Sequence, residues 1–215
     1  MSEIVPTILT NDGEQYKKLV TTFQPFAKRV QIDISDGTFA PSTTLPLNQL
    51  YWPKEWQVDF HMMVVRPSEH LPLILQLKPS LVIFHAEASE DLLPIFEQLK
   101  TAGIKTGVAL MRSTFPGSVK RYLEVVDHVL VFAGEIGKQG GEADMLQTEK
   151  IPLIKEINAN AEIGWDGGAN LRNVRAIHHA GADVINVGSA LTNATDPGVM
   201  YESLVADLDK RGVVI

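Results

Sequence analysis

The chain has 215 residues, 45% of them hydrophobic, a formal net charge of −7 and no cysteine. Disulfides and thiolate metal sites are therefore excluded, and the lack of thiols suits a reducing, cytoplasmic setting. Acids and bases are interspersed with no basic stripe, and no apolar run approaches the roughly 20 residues a membrane span needs, so neither nucleic acid nor membrane is an expected partner.

The opening stretch, MSEIVPTILTNDG, lacks a basic region followed by an apolar one, so no secretion signal is expected. Eight short apolar runs then recur at intervals of roughly 22 to 34 residues. They are IVPTIL from Ile4, RVQIDIS from Arg29, QVDFHMMV from Gln57, LVIFHAE from Leu81, KTGVALM from Lys105, HVLVFAG from His128, EIGWDGG from Glu162 and VINVGSAL from Val184. Helical patterns lie between them. Ser89 is placed to cap one that ends at Gly103, and Asn170 to cap one that ends at Gly181. No linker, low-complexity tract or charge block divides residues 1–215, so one (β/α)8 barrel domain is expected, with an open doubly wound sheet as the alternative.

A barrel carries its chemistry at the C-terminal ends of its strands. Side chains alternate along a strand, so Gln31, Asp33 and Ser35 share the inward face of the second, while Val30, Ile32 and Ile34 pack on helices. By the same rule Asp59, His61 and Met63 face inward on the third strand, Ile83, His85 and Glu87 on the fourth, and Asp166 ends the seventh. Asp36, beside Gly37, reads as a turn-forming aspartate. His85 reads as a hydrogen-bonded structural residue, and His70, His128, His178 and His179 as structural or solvated. Asp33, His61 and Asp166 converging on one rim is different, because buried carboxylates need an offset: a divalent cation or a shared proton. The pairs Gly140-Gly141, Gly167-Gly168 and Gly188-Ser189 follow strands six, seven and eight, where backbone N–H groups can cradle a phosphate. A small phosphorylated sugar is the expected ligand.

At these residues the sequence resembles the ribulose-phosphate 3-epimerase family, nearly end to end. VPTIL resembles the family's PSIL opening, with Thr7 in place of a substrate-contacting serine. QIDISDGTF resembles HxDxMDGxF, DFHMMV resembles DxHLMV, FHAE resembles HxE, GWDGGAN resembles VDGGxN, and AGADVINVGSAL resembles the AGAD…GSA ending. The resemblance implies a homo-oligomeric, metal-dependent epimerase that inverts C3 of a ketopentose 5-phosphate. The aspartates matching Asp33 and Asp166 are then the acid and base on opposite faces of the sugar. A divalent metal (zinc, iron or manganese) is held by Asp33, His61, Asp166 and the residue at position 31, and the glycine loops bind the phosphate. The sequence departs from the family pattern at several points. Gln31 replaces the first metal histidine, Ser35 a methionine and Thr38 a histidine. MSVNPGFGGQ becomes FAGEIGKQGGE, and the fifth-strand NP becomes Met111-Arg112. A glutamine amide is a poorer zinc ligand than imidazole, so the metal is either retained with Gln31 or water, or weakened and lost. The altered loop and Arg112 leave open a different ketose phosphate or a phosphosugar-binding relative without turnover. Related barrel decarboxylases and aldol synthases place a lysine two residues after the strand-two aspartate; here that residue is Ser35.

Overall fold

A computed structural model describes residues 2–138 and 140–208. Eight parallel strands close into a barrel in sequence order: β1 (Glu3–Ile8), β2 (Arg29–Ser35), β3 (Gln57–Met63), β4 (Leu81–His85), β5 (Lys105–Leu110), β6 (His128–Phe132), β7 (Glu162–Asp166) and β8 (Val184–Val187). The fold is a (β/α)8 barrel. Each apolar run of the sequence forms a strand, and several stop short of the run's end because the last residues turn into the loops of the mouth.

The described helices are α1 (Gly13–Phe23), α2 (Leu71–Leu77), α3 (Leu93–Thr101), α4 (Lys120–Leu123), α5 (Lys150–Ile157), α6 (Val174–His179), α7 (Ser189–Thr192) and α8 (Pro197–Leu208). The link from β2 to β3 has a single 3-10 turn, Leu47–Gln49, in place of a helix. α1 starts at a true cap, where the Asp12 carboxylate accepts from the backbone N–H of Gln15 at 2.7 Å. The two expected caps differ from what is found. α3 begins four residues after Ser89, whose hydroxyl instead donates to the carbonyl of Val65. Asn170 accepts from the Arg172 N–H, and α6 begins only at Val174. The adjacent loop takes the Ser89 side chain, whereas Asn170 caps the turn that leads into α6. Gly103 and Gly181 do terminate their segments at φ +77° and +102°.

Alternation holds on β2. Val30, Ile32 and Ile34 pack outward into the helix-facing core with Leu19, Phe23, Phe60 and Met62. Inside the barrel, Leu81, Ile83, Ala109 and Leu130 form a separate apolar cluster from β4, β5 and β6. The floor is ionic. Arg29 donates from Nε to Asp59 at 2.6 Å and from Nη2 to Glu162 at 2.7 Å, and pairs with Glu3 at 3.3 Å. His128 Nδ1 lies 2.8 Å from Glu162.

Arg29 and Asp59 are both buried, so removing the cation strands a carboxylate in low dielectric. Arg29→Met is expected to lower the unfolding free energy by about 3–5 kcal/mol in urea titrations. A loss below about 1 kcal/mol would mean that water reaches Asp59.

Candidate active site at the barrel mouth

The strand registers bring the candidate groups together. Asp33 pairs with His61, Thr7 with Gln31, and Asp166 with Asn186. His61 Nδ1 lies 3.0 Å from Asp33 Oδ1 and 3.3 Å from Asp166 Oδ2. The Gln31 amide nitrogen donates to the same two oxygens, at 2.9 and 2.7 Å. Two carboxylates are therefore spanned by two donors from adjacent strands.

Proton positions follow from the partners. Burial alone would lower the His61 pKa, but hydrogen bonds to Asp166 and Asp33 outweigh it and push it up to about 9. Burial pushes Asp33 up to about 6, with the Asp166 charge adding to it and the His61 and Gln31 donors restraining it. His61 Nε2 faces His85 Nε2 at 2.9 Å. Burial, and then the charge of His61, take His85 down to about 4, although Glu87 opposes this. One assignment satisfies all of this. His61 is an imidazolium whose Nε2–H donates to neutral His85, and His85 Nδ1, which makes no hydrogen bond, lies 3.3 Å from Glu87. Phe39 and Phe132 pack on the pair, with ring centroids 4.8 and 5.8 Å from His85.

Above this layer a cleft opens at the barrel mouth. Thr7, Asp33, His61, Asp166, Gly140, Gly167, Gly168, Gly188 and Ser189 all line it. Gly141 does not; it faces an adjoining groove shared with Gly168 and Ser189. Gln31 is fully buried beneath the carboxylates. Gly167 cannot carry a side chain, because at φ +120° a Cβ would lie 2.0 Å from the Gly134 nitrogen. Asp36 is the turn residue expected, accepting from the N–H groups of Thr38, Phe39 and Val65. Arg112 does not enter the cleft: its Nε and Nη2 donate to the Ala133 carbonyl at 3.1 and 2.7 Å, bracing the loop after β6. Among the stretch of aromatics before β3, Trp56 is buried and Tyr51 is exposed.

Sequence reasoning missed Asn186 and Lys138, which also line the cleft. Asn186 was accessible through alternation on β8, whereas Lys138 sits on a loop with no periodic signal. Thr7 Oγ1 and Asn186 Oδ1 are buried without a partner, and an unmet polar atom costs about 1–3 kcal/mol that a hydroxylated ligand would offset.

Asp33, His61 and Asp166 offer donor atoms within 4.8 Å of one another, a group that can hold a metal ion. Their 3.0 and 3.3 Å separations are close to the edge of about 3.3 Å expected between ligands of a tetrahedral ion with bonds of about 2.0 Å. The residues present thus fit three corners. The fourth belongs to solvent or to Gln31, whose Oε1 is buried and unpartnered and would have to exchange places with its Nε2.

A model of the ribulose-phosphate 3 epimerase family matches residues 3–192. The chain belongs to that family. Ribulose-phosphate 3-epimerase of Schizosaccharomyces pombe is 28% identical over 211 residues, covering 94% of this chain and 92% of that protein. The Helicobacter pylori enzyme of the same name is 28% identical over 209 residues, covering 94% and 96%. Among solved structures, 3-hexulose-6-phosphate synthase from Salmonella typhimurium superposes with a TM-score of 0.74 at 17% identity, covering 96% of this chain and 98% of that one. KGPDC from Streptococcus mutans gives 0.72 at 9% identity, covering 96% and 97%. These likenesses establish the fold.

In metal-free protein, the ring nitrogens of His61 should show imidazolium shifts by NMR at pH 7.5 and lose the proton near pH 9, while His85 stays neutral down to about pH 4. Added zinc, taking Nδ1, should release about one proton per ion at pH 7.5. A His61 that titrates near its ordinary value would show that the carboxylates do not grip it.

Proposed function

We propose that this family member, acting as one barrel domain, inverts C3 of a ketose phosphate, interconverting D-ribulose 5-phosphate and D-xylulose 5-phosphate. The observation that carries the reading is the pair of carboxylates, Asp33 and Asp166, facing one cleft with His61 set between them. The names of its relatives supply the substrate.

The C3 proton, α to the C2 carbonyl, is weakly acidic and needs both a base and charge stabilisation of the product. One aspartate takes that proton from one face, leaving an enediolate. The other, protonated, returns a proton to the opposite face. Each turnover moves the proton load from one carboxyl to the other, so the pair resets by exchange with solvent or by running in reverse. Asp33, at about 6, is poised to serve as either acid or base near neutral pH. Thr7 and Asn186 present their unmet polar atoms to sugar hydroxyls, and the backbone of Gly140, Gly167, Gly168 and Gly188, with Ser189, receives the phosphate. A divalent ion held by Asp33, His61 and Asp166 would supply a positive charge beside the enediolate oxygens. We propose that Gln31 makes that ion's hold weaker than a histidine would, because a neutral amide oxygen is a poorer partner for zinc.

One observation favours a second reading, a phosphosugar-binding relative without turnover. The Gln31 amide occupies the same two carboxylate oxygens that acid/base work requires. An epimerase for another ketose phosphate shares the same mechanism. The strand-two lysine of related aldol synthases is replaced by Ser35, whose hydroxyl donates to the Ser42 carbonyl, so that chemistry has no support.

Deuterium wash-in separates these readings. In D₂O the metal-replete protein should place deuterium at C3 of ribulose 5-phosphate, and Asp33→Asn and Asp166→Asn should each cut the rate by about 10²-fold or more. Absence of exchange with every ketose phosphate tried would leave the binding reading in its place. Gln31→His should tighten zinc measurably and raise turnover; tighter zinc without faster exchange would show that the metal is not limiting.

A further inference from the structure

The loop after β6 is where the chain departs most from the family pattern, and it brings one cation to the cleft. Among the described residues that line the cleft, Lys138 is the only lysine or arginine. The loop is fixed at its base. The Ala133 N–H donates to the Asp166 carbonyl at 2.7 Å, and the Ala133 carbonyl accepts from Arg112 and from the Asp144 N–H. It is fixed again across the mouth, where the Ser42 hydroxyl donates to the Gly137 carbonyl at 2.7 Å. A Cβ on Gly137 would meet Ala40 and Pro41 at 2.9 Å, so the loop lies directly against the segment after β2. Two residues beyond Lys138, Gly140 abuts Ser189: a Cβ there would come within 3.7 Å of the Ser189 Cβ. Lys138 thus stands on an anchored backbone beside the Gly140–Ser189 side of the cleft.

Its ammonium donates to Glu135 Oε2 at 2.6 Å, with both side chains well exposed. Glu135 is held below the usual carboxylate range by that hydrogen bond first and then by the Lys138 charge, with a smaller contribution from Arg112.

We propose that Lys138 adds a side-chain cation to phosphate recognition in this cleft: the incoming phosphate of the sugar displaces Glu135 from Lys138. The proposal deepens the epimerase reading and rests on it for the identity of the sugar. The physical need is charge. The protein carries −7 overall, and the carboxylates of Asp33 and Asp166 line the cleft. A phosphate of charge about −1.5 to −2 entering there gains from a mobile cation, and it outcompetes a singly charged carboxylate for it. Lysine suits the task because a compact ammonium on a flexible stem can change partners without refolding the loop.

Phosphorus NMR titrations of the full chain with inorganic phosphate and with ribulose 5-phosphate test this, with unphosphorylated ribulose followed by proton NMR. Lys138→Met should weaken both phosphate ligands about tenfold, as loss of a charge-assisted hydrogen bond implies, and Lys138→Arg should recover most of that. Glu135→Gln should tighten both, since the competitor loses its charge. Ribulose without phosphate should be indifferent to all three changes. Unaltered phosphate binding in Lys138→Met, an equal loss for unphosphorylated ribulose, or no phosphate binding by the parent chain would each overturn the proposal. Epimerisation is judged separately by deuterium wash-in. Exchange with Lys138-independent phosphate binding sinks only this proposal, and Lys138-dependent binding without exchange sinks only the epimerase reading.

Discussion

Two carboxylates held within a few ångströms of each other govern the mouth of this barrel. Asp33 and Asp166 come from strands far apart in sequence, and left to themselves they would repel or take up a proton. The chain sets two donors against them, the Nδ1–H of His61 and the amide of Gln31. Both come from β2 and β3, the same wall that carries Asp33. Only Asp166 reaches across from β7, and the backbone of the β6 loop ties itself to that residue's carbonyl through Ala133. The loop that covers the mouth is therefore built onto the carboxylate-bearing strand end, so loop position and site geometry are set together.

The barrel interior is divided lengthwise. β4, β5 and β6 contribute the apolar cluster of Leu81, Ile83, Ala109 and Leu130, with His85 at its rim end and His128 at its floor end. β2, β3 and β7 contribute ionisable groups at both ends: Arg29, Asp59 and Glu162 at the floor, then Asp33, His61 and Asp166 at the rim. The inward-facing Gly164 on β7 leaves room between these layers, since a Cβ there would collide with the His128 ring 2.4 Å away. The two layers solve the same problem differently. At the floor a guanidinium, charged at any ordinary pH, meets its carboxylates permanently. At the rim the cation is an imidazolium, whose proton can leave, and the carboxylates there stay exchangeable.

Period-two alternation made the rim legible in the sequence itself. It placed Asp33, His61 and Asp166 inward because a strand offers only two faces, and eight strands of the observed spacing leave a barrel as the natural closure. The same rule places Asn186, two residues on from Val184, on the inward face of β8. What alternation does not encode is contact between strands. His85 reads as a structural, hydrogen-bonded histidine, and its hydrogen-bond partner is His61 itself. Loops gave less. Ser89 looked like a cap from its own neighbours in sequence, but the Val65 carbonyl of the adjacent loop takes its hydroxyl instead of α3. Lys138 and Arg112 carry no period at all, so their separation into a cleft residue and a brace appears only in three dimensions.

The substitution at position 31 acquires a physical sense from this arrangement. A histidine there brings a ring nitrogen that suits a cation. A glutamine brings either a donor or an acceptor, depending on which way its amide faces. As it stands the donor faces the carboxylates and Oε1 is stranded in a buried position. Turning the amide would satisfy a cation placed between the aspartates, but without one it would set an oxygen lone pair against two anions. The buried orphan is thus the cost of the donor-facing state, and a bound cation would reverse the preference. Position 31 therefore couples the orientation of one amide to the charge at the centre of the site, a coupling that imidazole would not provide in the same form.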